Sequence, residues 1–204
     1  MSHAFSRQRA AIGDCPDLRI NDPNTNDRQI DLAPATDPAP RRMPFLIRRD
    51  GTWLYRGSPI SRKEMVCLFA ALLHRDDDGR FWLQTPTERG IIEVEDAPFI
   101  AVELDWHGDG PHQELTLRTN VDELITIGPD HRLRVAHDLL TCEPTPYLHV
   151  RGSAEHPIEA RICRAVYYEL VALAVPGCVH GRRMLGVWSR GGFFPLGEMP
   201  PDET

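Results

Sequence analysis

The sequence contains almost no lysine. Lys63 is the only lysine among the 23 basic residues, and 30 acidic residues give the chain a formal net charge of −7. Proteins that bind nucleic acids without sequence preference neutralise the phosphates with an excess of positive charge. The composition therefore excludes general nucleic-acid binding. Arginine binds anions well in a bidentate manner, but its excess along the whole chain indicates genome composition rather than a function.

The sequence also lacks paired cysteines and long apolar segments. Its five cysteines are an odd number and no two have CxxC spacing, which argues against a disulfide framework or a zinc knuckle. No apolar run approaches the about 18 residues of a membrane span, and Met1 to Ala10 has no apolar stretch typical of a secretion signal. We therefore expect a cytoplasmic protein with reduced thiols and no membrane span.

Motifs of known catalytic sites are missing too. The sequence has no Walker loop, no GxGxxG and no HExxH, and the surroundings of Ser189 differ by one position from a nucleophile elbow. Glu88, Glu93, Glu95 and Asp96 could bind a metal, but Glu93 and Glu95 share one face of a strand while Asp96 takes the other. We expect no cofactor and no bound metal, and the missing motifs favour a protein that is not an enzyme without deciding the question. The alternative is a metal-dependent hydrolase that uses Glu88, Glu95 and Asp96.

Three segments differ in composition. Residues 1–43 contain five prolines and only isolated apolar side chains, so this segment cannot bury enough apolar surface to offset the entropy of ordering it. It is predicted to be a disordered tail. Residues 44–93 are predicted to form an N-terminal α+β half, and residues 94–204 a C-terminal α+β half.

The N-terminal half is predicted to be a β-hairpin, a helix and a further strand. Asp50-Gly51 is a strong hairpin signal, because both central positions of a type I′ turn need positive φ. Ser61 and Glu64 have capping-box spacing, and apolar residues then recur at helical spacing to about Leu73. The strand after the helix is predicted at Arg80–Gln84.

The C-terminal half is predicted to begin with an antiparallel meander and to end in a second copy of this unit. Arg151-Gly152-Ser153 repeats the Arg56-Gly57-Ser58 turn, and Pro157 suits the first turn of a helix that continues to about Leu173. Each Arg-Gly-Ser precedes a cysteine in a helical pattern, Cys67 or Cys163, at nearly the same distance. The fold class is therefore α+β with two related units, although two amphipathic helices can also be similar by chance.

Aromatic residues lie beside arginines in both halves. Trp53, Tyr55 and Arg56 precede the first helix, and Trp188 and Arg190 lie at the last hairpin. An arginine next to an exposed ring can hold a phosphate and stack a base, and a groove between two halves is a usual place for a ligand. The alternative is that the rings belong to the core and the arginines are solvated.

Several motifs resemble a known family. They are Asp50-Gly51-Thr52-Trp53, Arg56-Gly57-Ser58-Pro59-Ile60, Thr85-Pro86 with Glu88, and most specifically Val94-Glu95-Asp96-Ala97-Pro98-Phe99. With these motifs, about residues 44–197 resemble the bacterial family catalogued as domain of unknown function 1285. The resemblance implies a duplicated α+β core whose C-terminal half is similar to pleckstrin-homology-like folds, and it assigns no reaction.

The same resemblance implies a nucleotide-like ligand between the halves and a role in signal transduction. Its motif residues are candidate contacts: Trp53, Arg56, Thr85, Glu88, Glu95, Asp96 and Phe99. In the leading hypothesis, Arg56 and Arg190 meet phosphate, Trp53 and Trp188 stack, and Glu95 or Asp96 accepts hydrogen bonds from ribose or base. The alternative to this ligand-binding module is a protein–protein interaction module that uses the tail and the pleckstrin-like half.

Overall fold

The computed structural model describes residues 41–137 and 143–199. Residues 1–40 of the predicted tail therefore lie outside the described residues. The first strand begins at Arg42 rather than after Pro44. Within the described ranges, no helix has the length and apolar character that crossing a membrane requires.

The N-terminal half is a six-stranded sheet with one helix. The strand order is β3-β2-β1-β6-β5-β4, in which β1 and β6 are parallel and the other neighbours antiparallel. The elements are β1 Arg42–Ile47, β2 Trp53–Tyr55, β3 Ser58–Pro59, α1 Lys63–Ala71, β4 Leu73–Arg75, β5 Phe81–Gln84 and β6 Arg89–Val94.

The hairpin predicted at Asp50-Gly51 is confirmed, but its predicted turn geometry and the predicted capping box are wrong. The N-cap of α1 is Arg62 and it makes no side-chain capping bond, so Ser61 and Glu64 do not form a capping box. In the first hairpin only Gly51 of the Asp50-Gly51 pair has positive φ, at +81°. The loop is longer than a type I′ turn: Arg48 and Thr52 close it, and the Asp50 carboxylate accepts a hydrogen bond from the Thr52 N–H.

The C-terminal half contains a second six-stranded sheet, a helix and a three-stranded sheet. The orders are β10-β11-β12-β7-β8-β9 and β13-β14-β15. The elements are β7 Phe99–His107, β8 Glu114–Thr119, β9 Leu124–Thr126, β10 Leu133–His137, β11 Pro144–Gly152, β12 Pro157–Ile162, α2 Arg164–Ala172, β13 Val175–Val179, β14 Arg182–Ser189 and β15 Gly192–Glu198, with a short 3₁₀ turn at Gly110–His112. Because β12 pairs in parallel with β7, the large sheet is not the purely antiparallel one that was predicted.

The second helix begins later than predicted. Pro157–Ile162 is a strand in which Ile158, Ala160 and Ile162 are buried in alternation, and α2 starts at Arg164 after the N-cap Cys163. The spacing of Ile158 and Ile162 is compatible with both a helix and a strand. The segment is a strand because it pairs with β7. Cys67 lies inside α1 whereas Cys163 precedes α2, so the matched spacing of the two cysteines does not correspond to matched positions.

The order of elements nevertheless recurs in the two halves. Each half has an antiparallel hairpin, then a nine-residue helix, then three consecutive antiparallel strands. The structure therefore consists of two α+β parts that are rich in strands. Their relation by duplication stays a prediction, as does the similarity of the C-terminal half to pleckstrin-homology-like folds.

The two halves share one hydrophobic core. Buried residues of the first half, such as Ile47 and Leu83, belong to the same cluster as Phe99 and Leu115 of the second. Polar contacts also cross the seam between the halves. Arg151 Nη2 donates to the Ala70 carbonyl at 2.6 Å, and Arg75 Nη1 donates to the Pro157 carbonyl at 2.8 Å. Asn120 Nδ2 donates to the Gly51 carbonyl at 3.3 Å. The seam is therefore packed and hydrogen-bonded at these positions.

Candidate functional site

A cavity of about 490 Å³ opens in the N-terminal half. It lies between the β1–β2 hairpin, α1 and the turn that joins β5 to β6, and we call it the N-terminal cavity. Its lining comes only from residues 41–88: Arg41, Met43, Pro44, Phe45, Tyr55, Arg56, Ile60, Met65, Phe69, Thr85, Thr87 and Glu88. Four of the ten residues predicted as ligand contacts are among them, namely Tyr55, Arg56, Thr85 and Glu88.

Arg56 is placed at this cavity by a two-residue turn. Tyr55 pairs with Ser58, so Arg56 and Gly57 are the central residues of the β2–β3 hairpin. Their φ angles are +50° and +80°, which is the type I′ geometry that requires positive φ at both positions. The Arg56 N–H donates to the Pro44 carbonyl at 2.8 Å. The guanidinium lies 5.4 Å from the centre of the half-exposed Tyr55 ring, so a cation and a ring stand together.

Aromatic residues form much of the cavity wall. The Phe45 ring packs against Tyr55 at 4.9 Å and against Phe69 at 5.1 Å. Trp53 stacks behind Phe69, with centroids 6.5 Å apart and an interplanar angle of 19°. Trp53 is only 1% exposed, so it supports the wall from the core and presents no free face to a ligand. Its Nε1 is buried and has no hydrogen-bond partner among the described residues.

Three polar residues of the cavity, Thr85, Glu88 and Arg41, are engaged with each other. Thr85 Oγ1 accepts from the Glu88 N–H and donates to the Glu88 carbonyl, both at 3.0 Å, and so closes the turn between β5 and β6. The Glu88 carboxylate pairs with Arg41 at 3.2 Å. In the described part of the chain no carboxylate pairs with Arg56. Arg56 is therefore the cation of this cavity best able to receive an anion.

Glu95 and Asp96 lie at the seam between the halves and do not line the N-terminal cavity. Glu95 accepts from the Arg49 N–H at 2.8 Å. Asp96 Oδ1 accepts from the Tyr147 hydroxyl at 2.8 Å, and Asp96 Oδ2 lies 3.8 Å from Nε of both Arg49 and Arg161. Burial, the hydrogen bond to Asp96 and the charge of that carboxylate raise the pKa of Tyr147 to about 12. This arrangement joins the halves by charge and hydrogen bonding.

The remaining predicted contacts are distributed elsewhere. Phe99 is fully buried, with the Arg151 guanidinium 5.2 Å from its ring. Trp188 packs edge-on against Phe193 at 5.3 Å. Arg190 occupies a second type I′ turn, where its Nε lies 3.8 Å from the Glu114 carboxylate. The structure therefore does not bring these residues together with Arg56.

Ser189 is also structural. Its hydroxyl is buried, donates to the Ile127 carbonyl at 2.7 Å and accepts from the Leu115 N–H at 3.1 Å. These two bonds join β14 to β8 and to the residue that follows β9. A serine held in this way has no path to a substrate.

The carboxylates of the hydrolase hypothesis do not form one site. Glu88 lines the N-terminal cavity, whereas Glu95 and Asp96 lie along a separate surface depression beside β6. Across residues 41–137 and 143–199, no group of three or more His, Cys, Asp or Glu side chains could hold a metal ion.

The sequence interpretation missed most of the apolar cavity wall. Phe45, Met65 and Phe69 fit strand or helix patterns in the sequence, and nothing local distinguishes a core residue from a cavity residue. Arg41 and Met43 fall in the segment 1–43 that is predicted to be a disordered tail because prolines interrupt it. One signal could have pointed to the site: Arg56-Gly57 is a two-residue turn between strands, which forces Arg56 to stand out from the sheet.

Comparisons with known proteins agree with the resemblance found in the sequence. Residues 37–97 match the family model described as the domain of unknown function DUF1285, N-terminal domain, and residues 98–196 match the model of the DUF1285 C-terminal domain. No curated protein matches. The predicted boundary at residues 93 and 94 is close to the junction of the two models but stays a prediction.

Two solved structures are similar to this chain. A DUF1285 family protein from Silicibacter pomeroyi DSS-3 is 42% identical, with a TM-score of 0.68 over 78% of this chain and 81% of that chain. Another from Shewanella baltica OS155 is 28% identical, with a TM-score of 0.47 over 66% of this chain and 92% of that one. The family models together cover the chain from residue 37 to 196, and the first relative agrees in both sequence and fold. The chain therefore belongs to the DUF1285 family.

Proposed function

We propose that this protein is a small-ligand-binding module in bacterial signal transduction that holds an organic anion in the N-terminal cavity. The observation that carries the proposal is the position of Arg56 and Tyr55 at an otherwise mainly apolar cavity. Ligand sites are typically apolar pockets with a few placed polar groups that fix orientation. The nucleotide-type ligand suggested by the sequence is the first member of this class to test.

The charge distribution favours an anion at this place. The whole chain has a net charge of −7, and other exposed arginines such as Arg48 and Arg62 also have no carboxylate partner among the described residues. Arg56 is distinguished from them because it lines the N-terminal cavity, where its side chain stands on a tight turn. A guanidinium can offer two parallel N–H donors to a carboxylate or phosphate. An anion bound there would replace water around Arg56 without breaking an existing ion pair.

The proposal moves the ligand from the seam into one half. The lining of the N-terminal cavity comes only from residues 41–88, whereas Glu95, Asp96 and Phe99 participate in contacts between the halves. Tyr55 then takes the stacking role that the sequence gave to Trp53, because Trp53 is buried and Tyr55 is half-exposed. Trp188 and Arg190 have no part in this form of the proposal.

Matched arginine variants test the proposal. Arg56→Ala and Arg190→Ala each replace the first residue of an Arg-Gly type I′ turn, with φ near +50° in both cases, so the backbone effects are equal. Calorimetric titration with mononucleotides and cyclic dinucleotides measures affinity. Loss of one charged hydrogen-bond partner should weaken binding about tenfold to a hundredfold in Arg56→Ala, with Arg190→Ala like the wild type.

Two outcomes would contradict this assignment. Unchanged affinity in Arg56→Ala would remove Arg56 from the site. Equal losses in Arg56→Ala and Arg190→Ala would instead favour the site inferred from the sequence, in which both arginines meet phosphate. A thermal-shift screen extends the test to other anions, since a ligand at a hundredfold excess over its Kd stabilises the native state by about 2.7 kcal/mol.

A protein-interaction module is a second candidate function, favoured by the exposed face of α2. Tyr168 is 61% exposed, Val171 43% and Val175, at the start of β13, 40%. Neighbouring exposed apolar side chains of this kind can mark an interaction surface. Affinity capture from cell extract with the wild type and a Tyr168→Ser variant tests this candidate. Partners captured equally by both proteins would argue against it.

A further inference from the structure

We infer that the anion of the N-terminal cavity has a hydrocarbon body, and that its class is a monomeric aliphatic carboxylate of medium chain length. The inference rests on the proposed function, because it names the ligand class of the same site. It differs from the nucleotide-type ligand in one physical respect: a hydrocarbon body needs no hydrogen-bond partners inside the cavity, whereas a nucleobase does.

The lining of the cavity favours hydrocarbon. Five of the side chains are large and apolar, and they come from β1, α1 and the loop before α1: Met43, Phe45, Ile60, Met65 and Phe69. Two of them are methionines, whose unbranched and polarizable side chains adapt to ligands of variable shape. Met65 is 41% exposed and Tyr55 also 41%, so apolar surface at the opening contacts water when nothing is bound. An apolar ligand group that removes this surface from water gains binding free energy from the hydrophobic effect.

Three of the polar residues of the cavity offer no free partner to a nucleobase. Thr85 Oγ1 already makes two hydrogen bonds to the Glu88 backbone, and the Glu88 carboxylate already pairs with Arg41. A base placed against Phe45 and Phe69 would therefore lose water from its N–H and C=O groups without gaining partners from these residues. Buried polar groups without partners weaken binding strongly. A methylene chain in the same place loses nothing.

The position of the charge completes the argument. Arg56 lines the cavity, is exposed and has no carboxylate partner in the described part of the chain, and the large apolar side chains line the same cavity. A carboxylate head on Arg56 with its chain against Phe45 and Phe69 would place each part of the ligand against matching surface. Arg41 could join this contact when it leaves Glu88, a pair that is largely exposed and therefore weak.

A chain-length series of carboxylates is the direct test. Hexanoate, octanoate, decanoate and dodecanoate are titrated into the full-length protein by calorimetry, each below its critical micelle concentration, with adenosine monophosphate in parallel. Each added methylene should raise affinity about threefold to fourfold while it enters the cavity, and the increase should stop when the cavity is full. An anionic phospholipid vesicle is included as a membrane source of the same chemistry, and no binding to it is expected.

Variants on α1 give a matched control for non-specific adsorption. Met65 lines the cavity and is 41% exposed, whereas Leu68 is 59% exposed on the same helix and does not line it. Both tolerate a polar side chain because both are in contact with water. Met65→Asn should weaken decanoate binding at least about fivefold, by loss of apolar contact, while Leu68→Asn should bind like the wild type. Arg56→Gln should weaken all members of the series by the same factor.

The outcomes separate this inference from the proposed function. Selective binding of nucleotides, with no binding of carboxylates, would overturn the inference and leave the proposed function standing. No binding of either class would overturn both. Carboxylate binding that is insensitive to Met65→Asn, equal losses in Met65→Asn and Leu68→Asn, or binding to vesicles alone would each show adsorption outside the cavity and so overturn the inference. Chain-length dependence that is sensitive to Met65 and insensitive to Leu68 would support it.

Discussion

Gly51 offers a quantitative test of how tightly the two halves are packed. Its φ is +81°, and a Cβ at this position would lie 2.7 Å from Ile100 Cγ1 and 2.8 Å from Asn120 Nδ2, both in the C-terminal half. Gly57 has nearly the same φ, +80°, but a Cβ there would meet nothing within 4 Å. Gly51→Ala and Gly57→Ala therefore share a backbone cost and differ only in the contact across the seam.

The expected magnitudes follow from these contacts. Positive φ in an L-residue costs about 1–2 kcal/mol, and the lower entropy of the unfolded alanine chain offsets about 0.4–1 kcal/mol of this, so Gly57→Ala should lose about 1 kcal/mol. Gly51→Ala should lose a further 1–3 kcal/mol or so from overpacking. Asn120 cannot move freely, because its side chain accepts from the Ile100 N–H at 3.0 Å and donates to the Gly51 carbonyl.

Urea denaturation, followed by circular dichroism, measures the free energy of unfolding of both variants. The double variant Gly51→Ala with Asn120→Ala removes one of the two clashing groups, so its loss should be smaller than the sum of the single losses. Equal losses in Gly51→Ala and Gly57→Ala would refute the reasoning, because they would show that the seam yields to a methyl group at no cost. Additive losses in the double variant would refute the part assigned to Asn120.

Three further predictions concern polar contacts in the C-terminal half and at the seam. Asp96→Asn should lower the free energy of unfolding by about 1–3 kcal/mol, because it removes the charge facing Arg49 and Arg161; urea denaturation with exposed Asp105→Asn as control checks this. Tyr147 has a pKa raised from 10.0 to about 12, so the unfolded chain loses this proton at a lower pH than the folded chain does. The free energy of unfolding should therefore fall between pH 10 and pH 12. This fall should be smaller in Tyr147→Phe, and identical falls in the wild type and the variant would contradict the prediction. Ser189→Ala should lower the free energy of unfolding by about 1–3 kcal/mol, because it leaves the Leu115 N–H and the Ile127 carbonyl without their partner. The ligand affinity of the N-terminal cavity should stay the same. Urea denaturation and calorimetric titration of one protein sample check both expectations.

Turns and short-range elements were predictable because their causes are local. Arg56-Gly57 and Arg190-Gly191 form tight hairpin turns for a reason contained in two residues: glycine adopts positive φ at no steric cost. The helical spacing of Met65, Leu68 and Phe69 likewise identified α1 to within two residues of its end. Such signals do not depend on what lies across the molecule.

Elements that depend on distant partners were not predictable in this way. Pro157–Ile162 carries apolar residues whose spacing suits a helix as well as a strand. Only its parallel pairing with the distant strand β7, in which Ala160 lies beside Phe99, makes it a strand. The parallel pairing of β1 with β6 has the same character. Sequence periodicity describes which faces are apolar, but it contains no information on which strand lies beside which.

The candidate site shows the same limit at the level of single side chains. In β2, Trp53 and Leu54 are buried while Tyr55 is half-exposed, so two aromatic residues in one short strand have opposite surroundings. The sequence grouped both rings with Arg56, and only the position of α1 separates them: Phe69 covers Trp53 and leaves Tyr55 at the opening. Arg56, by contrast, was selected for its place beside these rings, and the tight turn exposes its side chain whatever the rest of the chain does. A residue whose exposure is set by local geometry can therefore be identified from sequence, whereas one whose exposure is set by packing cannot. The ligand class inferred for the cavity depends on residues of the second kind, such as Phe45 and Phe69.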